Sequence, residues 1–290
     1  MKELVVISGK GGTGKTSLAA SFAVLAGHAV TADCDVDAAD LHLVLSPRPR
    51  EKHDFYSGNE AVIRAGDCTG CGTCAGLCRF DAITKKTRAD GAAVYAVDPV
   101  ACEGCGVCVR FCPERAIDFP ESRCGEWMIS DTRCGPMVHA RLGTAAENSG
   151  KLVSLVRREA RRIATEAGRD PVIVDGPPGI GCPVIASLTG ATVVLVVTEP
   201  TVSGEHDLER VLKLARHFGM AAAVCVNKWD LNREMTERIE NLARRSGAQI
   251  AGRVRYDRAV TAAQLRRQAV VQTEAPCVDD IRQIWNNLNL

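Results

Sequence analysis

Residues 9–16 read GKGGTGKT, an order of residue types suited to holding phosphates. The run satisfies G-x4-G-K-S/T, follows a short apolar stretch and opens a helical pattern, the context in which such a loop grips a nucleoside triphosphate. Gly9, Gly11, Gly12, Thr13 and Gly14 let consecutive backbone amides turn toward an anion, and the helix N-terminus around Ser17 adds its positive dipole end. Lys15 is expected to reach the β and γ phosphates and Thr16 to ligate Mg2+. One lysine is enough for that task. Lys10 is a second, and what it serves has to be sought elsewhere in the chain.

Eight of the fourteen cysteines carry the other chemical signal. CTGCGTCAGLCRFDAI at 68–83 is answered by CEGCGVCVRFCPERAI at 102–117, an internal repeat offset by 34 residues. Each copy has the spacing C-x2-C-x2-C-x3-C, and the second ends on Pro113, as iron-sulfur runs do. Three closely spaced thiolates wrap one cubane, while the fourth is thrown toward its neighbour. The expected ligand sets are therefore Cys68, Cys71, Cys74 and Cys112 for one 4Fe-4S cluster, and Cys102, Cys105, Cys108 and Cys78 for the other. C-x2-C is also zinc spacing, so a pair of zinc knuckles is the competing reading; the duplicated run of four and its proline fit iron-sulfur better. Arg79 stands where the first run would carry the proline, which removes no ligand.

These groups need elements to hold them. ELVVIS (3–8) predicts a strand, TSLAASFAVLAG (16–27) a helix with a glycine stop, and HAVTADCD (28–35) a strand ending in acids. PVIVDGPPG (171–179), ATVVLVVTEP (191–200), AAAVCVNKWD (221–230) and AQIAGRVRYD (248–257) continue the rhythm, with helical stretches between them. The expected fold is α/β, a mostly parallel sheet flanked by helices with chemistry at the strand C-terminal ends. Between 60 and 120 cysteines replace aliphatic strands, which marks an inserted α+β domain; residues 1–59 and 121–290 then form the discontinuous main domain. LSPRPREKHDF (45–55) reads as a linker. The stretch 125–153 reads as alternating strands, a polar loop and a helix.

The form KGGTGKT resembles the deviant Walker A loop of the MinD, ParA and Mrp family of P-loop ATPases, and residues 60–120 resemble a two-cluster bacterial ferredoxin. The first resemblance implies that Lys10 reaches across a dimer interface to the partner's nucleotide, much as an arginine finger acts in trans. The partner would be a second copy or a related ATPase. DCDVDAADL (33–41) resembles the family's acidic element, which implies that Asp35 orients the attacking water and that Asp33 lies near the magnesium shell. VIVDGPPG (172–179) resembles its Walker B segment, with Asp175 holding magnesium through water. VNKWD (226–230) ends a strand where the family reads the base, so Asn227 is expected at the purine. It also matches the NKxD pattern of GTPases, with Asp230 as acceptor; ATP is the preferred nucleotide and GTP the alternative. VRYD (254–257) lies where relatives place a second base-contacting loop, with Tyr256 a candidate contact.

Lys and Arg number 36 against 35 Asp and Glu, so bulk charge makes no case for nucleic acid or an anionic membrane. ATVVLVV at 191–197 is too short to span a bilayer, and no export signal is recognised at MKELVVIS; the expected location is cytoplasmic, where cysteines serve metals rather than disulfides. Cys34 and Cys225 read as core residues. Cys182 lies seven residues past Asp175, where the distantly related nitrogenase iron proteins place a cysteine on a cluster shared across the dimer. The resemblance implies a bridging role for it, with Cys124 or Cys134 as helpers, against a plain packing cysteine. The leading expectation is a dimerising nucleotide-switch ATPase coupled to two clusters, for ATP-gated electron transfer or metal-centre maturation of an unidentified client redox protein or metalloprotein. An iron-sulfur scaffold or carrier is the alternative. A positioning ATPase ranks last, because the tail DDIRQIWNNLNL has one Arg against two Asp, and Ile281, Ile284, Trp285 and Leu288 read as a helix packed on the core.

Overall fold

Leu4, Val5, Val6 and Ile7 of the strand Glu3–Ser8 are all fully buried. Successive side chains of a strand point to opposite faces, so a strand buried at every position must be covered on both. The computed structural model, which describes residues 1–143 and 149–290, sets Glu3–Ser8 inside a nine-stranded sheet. Its neighbours Val172–Pro178 and Val193–Thr198 run parallel to it. Val30–Asp33 and Gly135–Leu142 extend the parallel sheet beyond the first, Ala222–Asn227 and Gln249–Val254 beyond the second. Glu121–Thr132 and Arg48–Asn59 complete one edge.

Leu4, Val6, Ile173, Leu195 and Cys225 share a core with the helices Lys15–Ala26 and Cys277–Asn287. Phe22 of the first helix is fully buried and stacks on Trp285 of the second at a centroid distance of 5.4 Å. Ile281, Ile284 and Leu288 fill in beside it, as the apolar spacing of the tail predicts. Phe22→Ala is therefore expected to destabilise this unit by about 3–5 kcal/mol, read from the denaturant midpoint at unchanged slope. Helices Ser149–Glu166 and Val202–His217 pack on the sheet without joining that core. The first is tied down by a buried ion pair: Arg157 donates from Nε and Nη2 to the two carboxylate oxygens of Glu3, at 3.0 and 2.8 Å.

Residues 45–55 differ from the expected linker. Arg48–Asn59 is a strand at the sheet edge, where only Phe55 and Ser57 are buried. Pro49 and the charges around it suit that position, since an edge strand tolerates proline and charge keeps it from pairing further. The strands and helix read within 125–153 are Glu121–Thr132, Gly135–Leu142 and Ser149–Glu166. The polar loop read between them falls on 144–148, outside the described residues.

The chain divides into two compact units, and it passes from one to the other within Arg48–Asn59 and Glu121–Thr132. The first takes 1–53, 126–142 and 149–290; the second takes 54–125 and Gly143. The second unit repeats one plan. Strand Val62–Ile63, helix Thr73–Leu77 and strand Ile83–Thr87 are followed by Ala93–Val97, Val107–Arg110 and Ile117–Asp118. The outer strands pair with each other and the inner ones with each other, both antiparallel. Ala61, Cys74, Ile83, Cys108 and Ile117 form its small core.

Candidate functional site

The phosphate loop joins Glu3–Ser8 to Lys15–Ala26. Gly14 caps the helix with φ 93°, a left-handed conformation that favours glycine, and a Cβ there would strike the Asn227 amide. Gly11, Gly12, Gly14, Lys15, Thr16 and Ser17 line a cavity of about 1260 Å³. Asp35, Asn227 and Tyr256 line it too. Gly9 lies against Asp207, and the Thr13 side chain is buried rather than exposed to the cavity. Gln264 donates to the Ser17 hydroxyl at 2.9 Å, anchoring the far wall.

Lys15 is buried, with Nζ 3.8 Å from Asp35 Oδ2. Asp175 is fully buried and neither of its carboxylate oxygens has a hydrogen-bond partner of ordinary geometry. Burial pushes its carboxyl up to about 7, against the opposing pull of Lys15 and the Thr16 hydroxyl. An unpartnered buried carboxylate beside the Thr16 hydroxyl fits Mg2+. Because the folded carboxyl holds its proton more tightly than the unfolded one, metal-free protein loses stability as pH rises from about 4 to about 7. The melting temperature without magnesium is expected to fall over that interval, and Asp175→Asn to flatten the fall. Asp35 is likewise raised by burial, with Lys15 opposing. Asp33 uses Oδ1 on the Asp35 amide and Oδ2 on the Leu41 amide, at 3.3 and 3.2 Å. It holds the acidic loop in shape and does not line the cavity.

The base-reading residues are arranged differently from the simplest expectation. Asn227 donates from Nδ2 to the Thr13 carbonyl at 2.8 Å and accepts at Oδ1 from the Lys228 amide at 3.0 Å. The Nδ2 end therefore clamps the phosphate loop to the strand Ala222–Asn227, and the Oδ1 bond to the next residue holds the amide in that orientation. Asp230 accepts at Oδ1 from the Tyr256 amide at 2.7 Å and does not line the cavity. That removes one of the acceptor oxygens a guanine would need, and the wall at that end is formed by Val254–Asp257.

Lys10 makes a contact that sequence reasoning missed. Its ammonium pairs with Glu199 at 2.6 Å and donates to the Ser203 and Thr201 hydroxyls at 3.1 and 3.3 Å. Lys228 reaches the other oxygen of Glu199 at 3.1 Å. Burial works to raise the Glu199 carboxyl, but the two lysines outweigh it and hold it below the ordinary carboxylate range. The available signal was positional: Glu199 follows the strand Val193–Thr198 at its carboxyl end, where functional loops of such sheets gather.

In the second unit, Cys68, Cys71, Cys74 and Cys112 line one cavity. Cys78, Cys102, Cys105 and Cys108 line another. The fourth cysteine of each repeat thus faces the other repeat's trio. Among the described residues no three His, Cys, Asp or Glu side chains converge tightly enough for a single metal ion. The donors around each cavity are thiols, the donor type an iron-sulfur cluster takes.

A family model described as the CobQ/CobB/MinD/ParA nucleotide binding domain matches residues 4–270. The chain belongs to this family. This MinD/ParA-type chain is 31% identical over 238 residues to the uncharacterized protein MJ0578 of Methanocaldococcus jannaschii, covering 79% of each. Among solved structures it resembles the Pyrococcus furiosus cell division ATPase MinD, with TM-score 0.61 and 17% identity over 99% of this chain and 98% of that one. It also resembles the septum site-determining protein MinD of Pyrococcus horikoshii OT3 complexed with Mg-ADP, with TM-score 0.60 and 15% identity over 99% and 96%. At these identities the likeness to solved structures concerns the fold, a large mostly parallel sheet flanked by helices.

The remaining cysteines of this MinD/ParA-type chain separate by burial. Cys225 is fully buried in the sheet and Cys34 just past the strand Val30–Asp33, and Cys134 belongs to the main core. Cys124 is buried in the second unit, its thiol donating to the Ser57 carbonyl at 2.9 Å. Cys182 alone among these is exposed, at the start of the helix Cys182–Leu188. No helix among the described residues is long and apolar enough to cross a membrane.

Proposed function

We propose that the chain is a dimerising nucleotide-switch ATPase carrying two 4Fe-4S clusters, and that its nucleotide state governs one-electron transfer to, or metal-centre maturation of, a client protein. The observation that carries this reading is the crosswise lining of two cavities by eight thiols, in the same chain as a phosphate loop with a second lysine. The inserted domain, on this reading, is ferredoxin-like. Its cysteines would hold the clusters, and a bound cluster supplies one-electron chemistry.

The roles in the first unit follow from placement. The loop amides and Lys15 bind the phosphates. Thr16 and Asp175 would hold Mg2+, which neutralises charge on the β and γ phosphates. Asp35, on the cavity wall beside Lys15, orients the attacking water. The clamp from Asn227 to Thr13 keeps the loop rigid, and the engagement of Asp230 by Tyr256 favours adenine. Lys10 must leave Glu199 before it can reach a partner's phosphates. Both groups are partly exposed, so their pairing is worth about 0–1 kcal/mol. That is small beside the pull of a triphosphate, which makes release of Lys10 a fitting reporter of the ATP state.

Anaerobic purification with iron and acid-labile sulfide counting tests this directly. About eight of each per chain are expected, and bound zinc without sulfide overturns the cluster assignment. The exposure of Cys182 supports a ligand bridging two copies; Cys182→Ser lowers the iron per dimer only if it is one. A second reading is a positioning ATPase, supported by the shared fold with two MinD proteins described as acting in cell division and septum siting. It expects ATP-dependent binding to anionic vesicles or DNA by iron-free protein.

A further inference from the structure

The internal repeat gives each cysteine cavity a matched control, because residues 34 apart take corresponding places around the two. Thr73 of the first copy corresponds to Val107 of the second. The Thr73 hydroxyl lies 3.5 Å from Cys71 Sγ, and a ligating thiolate can only accept, so the hydroxyl donates to it. Valine has nothing to donate. Above the two helix starts the same contrast recurs: a Cβ on Gly72 would meet the Tyr95 hydroxyl, and one on Gly106 would meet the Phe119 ring. At the fourth cysteine, the Ala116 amide donates to Cys112 Sγ at 3.4 Å. Its counterpart Ala82 makes no such bond to Cys78 among the described residues.

Other features cancel. Cys74 and Cys108 are buried alike. Glu114 lines the first cavity and Glu103 the second, one carboxylate each. What remains is a donor-rich first cavity, with Thr69, Thr73 and Tyr95, against an apolar second one, with Phe80, Val107 and Phe119. Hydrogen bonds to cluster sulfurs stabilise the reduced, more negative state and so raise the potential.

We propose that the two clusters are unequal: the one held by Cys68, Cys71, Cys74 and Cys112 has the higher reduction potential, so that a single electron taken from a low-potential donor settles there. The electron count is simple, one gained by this cluster and one lost by the donor. This rests on the reading that the quartets hold 4Fe-4S clusters. Equal occupancy is what a symmetrical repeat would give; the donor set instead predicts at least a tenfold preference, about 59 mV for a one-electron couple.

A redox titration of the anaerobic full-length protein, followed by electron paramagnetic resonance, is the test. Two reduction steps are expected. Thr73→Val should lower only the upper one, and Val107→Thr should raise only the lower one, so that the pair narrows in either variant. A single unresolved step in wild-type protein containing about eight irons would overturn the inequality, and variants that leave both steps in place would overturn its origin in the Thr73 and Val107 contrast; either leaves the clusters standing. Protein without iron or sulfide would overturn the cluster assignment itself.

Discussion

Alanine at position 10 is expected to leave ATP binding nearly unchanged and to lower turnover by about a thousandfold or more, the scale on which a cation supplied in trans acts in phosphoryl transfer. Binding survives because the Lys10 ammonium is engaged by Glu199, Ser203 and Thr201, while Lys15 stands at the cavity. Turnover collapses because no other lysine flanked by glycines is available to a partner. Lys15→Ala should behave in the opposite way, losing nucleotide while keeping Lys10. Mixing the two variants restores hydrolysis if Lys10 acts across the interface, since one site of the mixed dimer then has both amines. Equilibrium nucleotide binding, steady-state hydrolysis and light scattering separate these outcomes. Full activity of Lys10→Ala, or no rescue on mixing, would remove the trans role.

The second large effect concerns the crossed ligation. Cys112 belongs to the second repeat but lines the cavity of the first repeat's trio. Cys112→Ser should therefore abolish the same cluster as Cys68→Ser, leaving about four irons per chain in either single variant and also in the double. Pairing Cys68→Ser with Cys78→Ser should instead strip both cavities. Sites that act as one unit are non-additive in this way, and independent ones are not. The loss should also loosen the second unit, because its buried core among the described residues is five side chains, two of them cysteines, and a bound cluster would contribute folding energy there.

Much of this was legible in the chain itself, for physical reasons that differ from element to element. The parallel strands announced themselves because both faces are covered, so runs such as VVLVV at 193–197 contain nothing polar to disguise them. The C-terminal helix was legible from Ile281, Ile284 and Leu288 at helical spacing. The phosphate loop and the cysteine runs are local in sequence, and their chemistry depends on spacing that can be read directly. Arg48–Asn59 was not legible as a strand, because an edge strand's polar, proline-bearing composition is also that of a linker. Glu199 was missed because its partner Lys10 lies far away in sequence, and only the neighbouring of Val193–Thr198 with Glu3–Ser8 brings them together. Asn227 and Asp230 kept their positions near the loop, but which groups they bond depends on Thr13 and Tyr256, which sequence spacing cannot pair with them.

The central claim is that the phosphates and the iron act on one another. Midpoint potentials measured anaerobically with Mg-ADP and again with a magnesium-bound, non-hydrolysable ATP analogue test it most directly. A shift in at least one potential that accompanies dimerisation, and that vanishes in Lys10→Ala, is the predicted result. Superimposable titrations with the two nucleotides, in protein that holds its full complement of iron and binds both, would contradict it.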